Sequence, residues 1–247
     1  MMVCLICFVF KYRNGSVVSV ISISYDDILI QRALEQMTTC KSKDRSRHEH
    51  LLRSLLVWIH FADAHNIQYW LGYGSLVGYV QRRGLLPHDH DIDLLMLADE
   101  AAKLVPYSDA NLSDVHILRV HPQWQRIGLK SRKRYPSKGI NFKAPNARLK
   151  YRNRSHYVDI WPIYNYNPGK RKTKSNMTTV LTQYDKFYKW LSSPVSWTFP
   201  LQPCEFSGMK VWCPAMPDRI VSMLYGAESL NKSNRACVNG SWVKVKL

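Results

Sequence analysis

Ile67–Leu71, Gly72-Tyr73-Gly74-Ser75, Leu76–Gln81, and then Pro87-His88-Asp89-His90-Asp91-Ile92-Asp93 running into Leu94-Leu95-Met96-Leu97, form the stretch that decides how this chain folds. Ile67–Leu71 is short, apolar and aromatic, as a buried strand is. The glycine-rich turn ends it, Leu76–Gln81 returns to helical spacing, and Arg82-Arg83-Gly84 closes that helix. Asp91 and Asp93 stand two apart at the head of the apolar run, so on a strand both side chains share one face. Ile92 between them points the other way, into a core.

Two carboxylates a few ångströms apart raise one another's pKa unless a cation lies between them. Oxygen donors of this kind suit Mg²⁺ or Mn²⁺ bridging to phosphate oxygens. A solvated acidic loop is the bland alternative, weakened by Leu94–Leu97 following at once. Zinc through His88 and His90 is disfavoured because no Cys lies nearby. Strand, Gly-Ser turn, helix and Asp-x-Asp strand is the order a nucleotidyltransferase site needs: an anion grip at a helix start, then a metal clamp. A third carboxylate belongs on a later strand. Asp159 is the lone acid between Asp114 and Asp185 and sits in the apolar pattern Tyr157-Val158-Asp159-Ile160-Trp161-Pro162. A lone acid there needs a metal or a basic partner, and both readings stay open.

Further out, Leu51, Leu52, Leu55, Leu56, Ile59 and Ala62 recur at helical spacing between His48 and His65. Another helix is expected near Asp26–Met37 and a polar linker at Thr38–Arg47. Later strands are expected at Ile127–Leu129, Ala147–Tyr151 and Tyr157–Trp161. Helices and strands mix, so the fold class is α+β, a mixed sheet flanked by helices. The 247 residues, 46% hydrophobic and 12% aromatic, suffice for one sizeable core and exclude a wholly disordered chain. The partition expected is an N-terminal extension at 1–45, the main domain at 46–230 and a tail at 231–247.

The net charge is +17. Val115–Val158 carries twelve Lys and Arg with no acid, and Lys170–Lys174 adds four more, whereas Asp89–Asp114 holds seven acids against one Lys. A basic surface facing an acidic knot suits a polyanion bridged by a divalent cation. Charge alone also admits nucleic acid. Six Asn-x-Ser/Thr triplets, at Asn14, Asn111, Asn153, Asn176, Asn231 and Asn239, exceed the one or two that chance gives, and favour the secretory lumen over a nucleic-acid partner. Cys204 and Cys213 flank a segment that a hairpin would close into a disulfide, or they are buried thiols. Cys4 and Cys7 belong to the apolar run Met1–Phe10, which reads as a signal, a remnant membrane anchor or a buried strand.

Tyr69-Trp70-Leu71-Gly72-Tyr73-Gly74-Ser75-Leu76-Val77-Gly78 and Arg82-Arg83-Gly84-Leu85-Leu86-Pro87-His88-Asp89-His90-Asp91-Ile92-Asp93 closely resemble the LicD family, which includes fukutin and fukutin-related protein. The likeness continues through Val158–Pro162, Phe206-Ser207-Gly208, Val211, Pro214 and Leu224-Tyr225-Gly226. Ser75, His88 and His90 depart from the family's usual Thr, Trp and Asp. The resemblance implies a nucleotidyltransferase-like fold and transfer of a phosphorylated group, ribitol 5-phosphate or phosphocholine, from a CDP-linked donor to a glycan in the secretory pathway, chiefly the Golgi. On that basis Asp91 and Asp93 hold Mg²⁺ or Mn²⁺, Asp159 completes the metal site or takes the acceptor proton, and Asp89 shares either job. Gly74 and Ser75 cradle phosphate, and Arg82, Arg148 and Lys150 bind donor or acceptor. A catalytically silent glycan-binding relative is the second reading and a nucleic-acid nucleotidyltransferase the third.

Overall fold

A computed structural model describes residues 24–137, 140–166, 168, 179–185 and 187–245. The apolar run 1–10, the Ser/Val alternation up to residue 23, Cys4, Cys7, Asn14, Asn176 and the tract Lys170–Lys174 lie outside the described residues.

The described residues begin with α1 (Tyr25–Glu35) and α2 (Asp44–Ala64), then β1 (Trp70–Leu71), α3 (Tyr73–Arg82), β2 (Asp91–Leu97) and β3 (His116–Val120). A small hairpin of β4 (Tyr135–Ser137) and β5 (Ile140–Phe142) precedes β6 (Ala147–Tyr151) and β7 (Tyr157–Ile163). Two more hairpins follow, β8 (Val180–Tyr184) with β9 (Trp190–Pro194), and β10 (Gln202–Phe206) with β11 (Met209–Cys213). The chain ends with α4 (Pro217–Tyr225) and a hairpin of β12 (Arg235–Val238) and β13 (Ser241–Lys244).

The central sheet has the order β1-β2-β7-β6-β3. Only β2 and β7 run parallel; the other neighbours are antiparallel, which makes this the mixed sheet of an α+β fold. Ile92, Leu94, Val158 and Ile160 are wholly buried and share one core with Leu51, Leu52, Leu55 and Trp58 of α2. That leaves the opposite sheet face, carrying Asp91, Asp93 and Asp159, for chemistry.

Elements differ from expectation where local capping intervenes. The segment Thr38–Arg47 is not all linker: α2 starts at Asp44, whose carboxylate accepts the backbone N–H groups of Cys40 and Lys41 and pairs with Arg47. The strand expected at Ile67–Leu71 shortens to β1, Trp70–Leu71, and the helix expected at Leu76–Gln81 already begins at Tyr73, so the glycine-rich turn is that helix's first turn. Ile127–Leu129 is not a strand. Gly128 sits at φ +82°, which breaks an extended run, and a 3₁₀ turn follows at Leu129–Ser131.

Ile30, Ala33 and Leu34 of α1 join the same core, although they fall in the expected N-terminal extension. The hairpin β12–β13 lies in the expected tail, and a disulfide between Cys40 and Cys237 ties it to the α1–α2 connection. A second disulfide, Cys204–Cys213, closes the β10–β11 hairpin. The turn of that hairpin, Ser207-Gly208, docks on the end of α3: Ser207 N–H donates to the Arg83 carbonyl, and Leu85 N–H donates to Ser207 Oγ. Among the described residues no helix is long and apolar enough to cross a membrane.

Candidate active site

The parallel register of β2 and β7 sets Asp93 directly opposite Asp159, and the antiparallel register of β7 and β6 sets Asp159 opposite Arg148. Three adjacent strands thus lay acid, acid and base in one row across the sheet. Asp91, one pleat up from Asp93, joins them. One carboxylate oxygen from each of Asp91, Asp93 and Asp159 lies within 4.8 Å of the other two.

Each acid is held differently. Asp93 Oδ1 accepts the Trp161 indole N–H at 2.9 Å and Oδ2 accepts the Gly74 N–H at 3.1 Å. Its own backbone N–H donates to Ser75 Oγ at 2.8 Å. The first turn of α3 is therefore clamped onto β2. Tyr73, at φ +41°, takes a backbone conformation costly for a bulky residue, and the clamp on either side holds it there. Asp159 is buried and gripped by Arg148 through two parallel bonds, Nε–Oδ1 at 2.5 Å and Nη2–Oδ2 at 2.8 Å.

The electrostatics follow from crowding. Burial, with the charges of Asp91, Asp159 and Asp89, pushes the Asp93 carboxyl well above the usual range. Burial lifts Asp159 to about 6 even against the Arg148 guanidinium. Asp91 is raised by burial, with Arg148 opposing. Asp89 is pushed up to about 7 by burial and the Asp91 charge. A hard divalent cation would relieve all four at once, and three carboxylates from two neighbouring strands are a donor set that Mg²⁺ or Mn²⁺ accepts.

Asp89 and Asp91 line a cleft of about 770 Å³, together with His90, Arg47 and Arg154 among others. A smaller cavity of about 110 Å³ lies on the other side of Asp89, against Gly74 and Tyr225.

The nine residues expected at the site do not all converge. Asp89, Asp91, Asp93, Asp159, Gly74 and Arg148 do. Ser75 is buried, with its hydroxyl engaged by the Asp93 backbone, so it shapes β2 and does not face a ligand. Gly74 faces carboxylates: a Cβ there would stand 3.2 Å from Asp89 Oδ2. Arg82 donates to the Gln36 carbonyl just past α1, which fastens α1 to α3. Lys150 borders a separate cavity of about 320 Å³ with Asp109, Arg119 and Arg152. Trp161, the partner of Asp93, stands in the family-like stretch Val158–Pro162 and alternates two residues after Asp159, but its spacing gives no sign of its role toward Asp93. Arg235 and Trp242 at the cleft come from a hairpin far away in sequence and could not be placed by spacing.

The sequence profile described as LicD/FKTN/FKRP, nucleotidyltransferase domain, matches residues 66–216, more than half of the chain. The chain is also 27% identical over 63 residues to Uncharacterized protein RP689 of Rickettsia prowazekii (strain Madrid E), a match covering 26% of this chain and 19% of that protein. It thus spans about a fifth of that relative's length.

Proposed function

We propose, from the premise that this chain belongs to the LicD/FKTN/FKRP nucleotidyltransferase-domain family, that it is a metal-dependent phosphotransferase moving a phosphorylated group from a CDP-linked donor to a glycan hydroxyl. The observation that carries this reading is the triad Asp91, Asp93 and Asp159, within 4.8 Å, beside a cleft bordered by basic side chains. Asp91 and Asp93 would hold Mg²⁺ or Mn²⁺, with Asp159 as third ligand, and the cation supplies charge neutralisation at the donor diphosphate.

The chain's own groups do the rest. Arg148 fixes the Asp159 carboxylate, while Trp161 and the Gly74 N–H fix that of Asp93. Asp89, which lines the cleft beside Asp91, accepts the proton of the acceptor hydroxyl. The acceptor oxygen forms a bond to the donor's distal phosphorus, the bond from that phosphorus to the bridging oxygen breaks, and CMP leaves with the electron pair. Positioning and charge complementarity supply most of such a rate enhancement. A lumenal setting, with the Golgi as the expected place, is supported by two disulfides and by exposed asparagines at four sequons, Asn111, Asn153, Asn231 and Asn239.

The test is turnover of a panel of CDP-linked donors, ribitol 5-phosphate and phosphocholine types included, with Mg²⁺, Mn²⁺ or EDTA. Metal-dependent release of CMP with at least one donor is expected. A second reading, an inactive glycan-binding relative, draws on Arg148 already neutralising Asp159. Glycan binding without CMP release from any donor would select it.

A further inference from the structure

More than half of the residues lining the large cleft lie outside 66–216. The matched segment brings the carboxylates, whereas Lys41, Lys43, Arg47, Arg235 and Trp242 come from the two flanks. These flanks are locked to each other twice. Cys40 is bonded to Cys237, and buried Asp44 binds both sides: its Oδ2 accepts the N–H groups of Cys40 at 2.8 Å and Lys41 at 2.9 Å and the Trp242 indole N–H at 2.9 Å. The Trp242 ring in turn leans on His88, centroids 5.8 Å apart, at the edge of the acidic knot.

Not every cation there is available. Arg47 is committed to Asp44 and to the Pro87 carbonyl. The guanidinium of Arg235 and the ammonium groups of Lys41 and Lys43 form no ion pair among the described residues, and all three line the cleft together with Asp89 and Asp91. Unpaired cations lining the same cleft as Asp89 and Asp91 suit a bridged polyphosphate, with metal at the carboxylates and ammonium and guanidinium groups on the remaining phosphate oxygens.

We infer that the two flanks, latched together by Cys40–Cys237 and by Asp44–Trp242, form the phosphate-gripping wall of the cleft, with Arg235, Lys41 and Lys43 contacting the diphosphate of a nucleotide and Asp44 and Trp242 as positioning residues. The inference rests on the proposed use of a nucleoside diphosphate donor and adds to it the residues that grip the donor. It also makes donor binding sensitive to reduction, because the disulfide is the one covalent tie among the described residues between the hairpin and the α1–α2 connection, beside the Trp242 hydrogen bond to Asp44.

The test is calorimetric binding of CDP and, separately, inorganic pyrophosphate, each with Mn²⁺, to the full chain and its variants. Arg235→Gln and the pair Lys41→Gln with Lys43→Gln are each expected to weaken both ligands by roughly tenfold, the loss of one charge-assisted contact or more. Cys40→Ser with Cys237→Ser should weaken them to a similar extent. Trp242→Phe, which keeps an aromatic ring but removes the indole N–H and part of the ring's bulk, should give a smaller loss and serves where the double serine variant fails to fold. Asp93→Asn serves as the metal-side control. Affinities within twofold of wild type in Arg235→Gln and in the lysine pair, alongside loss in Asp93→Asn, would overturn the wall and leave the donor reading standing. Failure of the unmodified chain to bind CDP while it binds pyrophosphate through Arg235 would overturn the donor reading and leave the wall. If neither ligand binds, both fall.

Discussion

Arg148 and Asp159 face each other across β6 and β7 in a two-bonded ion pair, with the carboxylate buried and the guanidinium largely so. The pair makes Asp159 structural as well as a neighbour of Asp91 and Asp93. Asp159→Asn leaves Arg148 without its counter-charge in a poorly solvated place. It is expected to cost about 3 kcal/mol in metal-free denaturant melts. A melt unchanged from wild type would show that relief of repulsion within the acidic cluster offsets the lost pair.

Asp91→Asn behaves in the opposite way. Asp91 has no two-bonded cation among the described residues, and its charge raises Asp89 and Asp93. Removing that charge should leave the metal-free melt unchanged or slightly higher, while the rise in Tm on adding Mn²⁺ with CDP disappears. Persistence of that rise would remove Asp91 from the ligand set.

Two glycines of α3 separate fold from site. A Cβ on Gly78 would lie 2.4 Å from the Gly84 carbonyl oxygen, a backbone atom that cannot move aside without shifting the turn. Gly78→Ala should therefore destabilise by about 1–3 kcal/mol. A Cβ on Gly74 meets instead side-chain carboxylate oxygens of Asp89 and Asp93, at 3.2 and 3.4 Å, and no backbone atom of the fold. Gly74→Ala is expected to keep its melting temperature within a few degrees and lose donor turnover. Equal Tm losses in the two variants would refute the distinction.

Burial, followed by the charges of Arg53 and His50, lowers the His116 imidazole to about 4, and the ring sits between the Ser54 and Ser113 hydroxyls. The folded state thus keeps it neutral at pH values where the unfolded chain, with its ordinary 6.5, binds a proton. Its contribution is complete above about pH 6.5 and is lost as pH falls toward 4, at up to about 1.4 kcal/mol per pH unit. Urea melts between pH 7 and 4 should show this slope reduced by about one proton in His116→Gln. An identical slope in the variant would place the acid sensitivity on other groups, His88 and His156 among them, which are also lowered to about 4.

Much of this architecture was legible in local pattern. The alternation of Asp91, Ile92 and Asp93 into Leu94–Leu97 specified which way each side chain points, and the stripe Leu51 to Ala62 specified the helix beneath the sheet. What local pattern could not carry was register. Arg148 meets Asp159 only because β6 pairs with β7 at one offset, and shifting that pairing by one residue would have turned Arg148 to the other face. Ser75 and Arg82 sit in motif positions, yet their polar atoms are taken by the Asp93 N–H and the Gln36 carbonyl. Cys237 finds Cys40 across 197 residues, a distance over which spacing says nothing.

That same bond has a topological consequence. With Cys40 joined to Cys237, everything from the start of α2 to β12 is a closed ring of chain. A protease that severs a single peptide bond inside the ring makes two new ends but no fragment. The product migrates as one species until a thiol is added and only then separates into two. The acids of β2 and β7 and the cations of both flanks would therefore stay tethered in one molecule through any single internal cut.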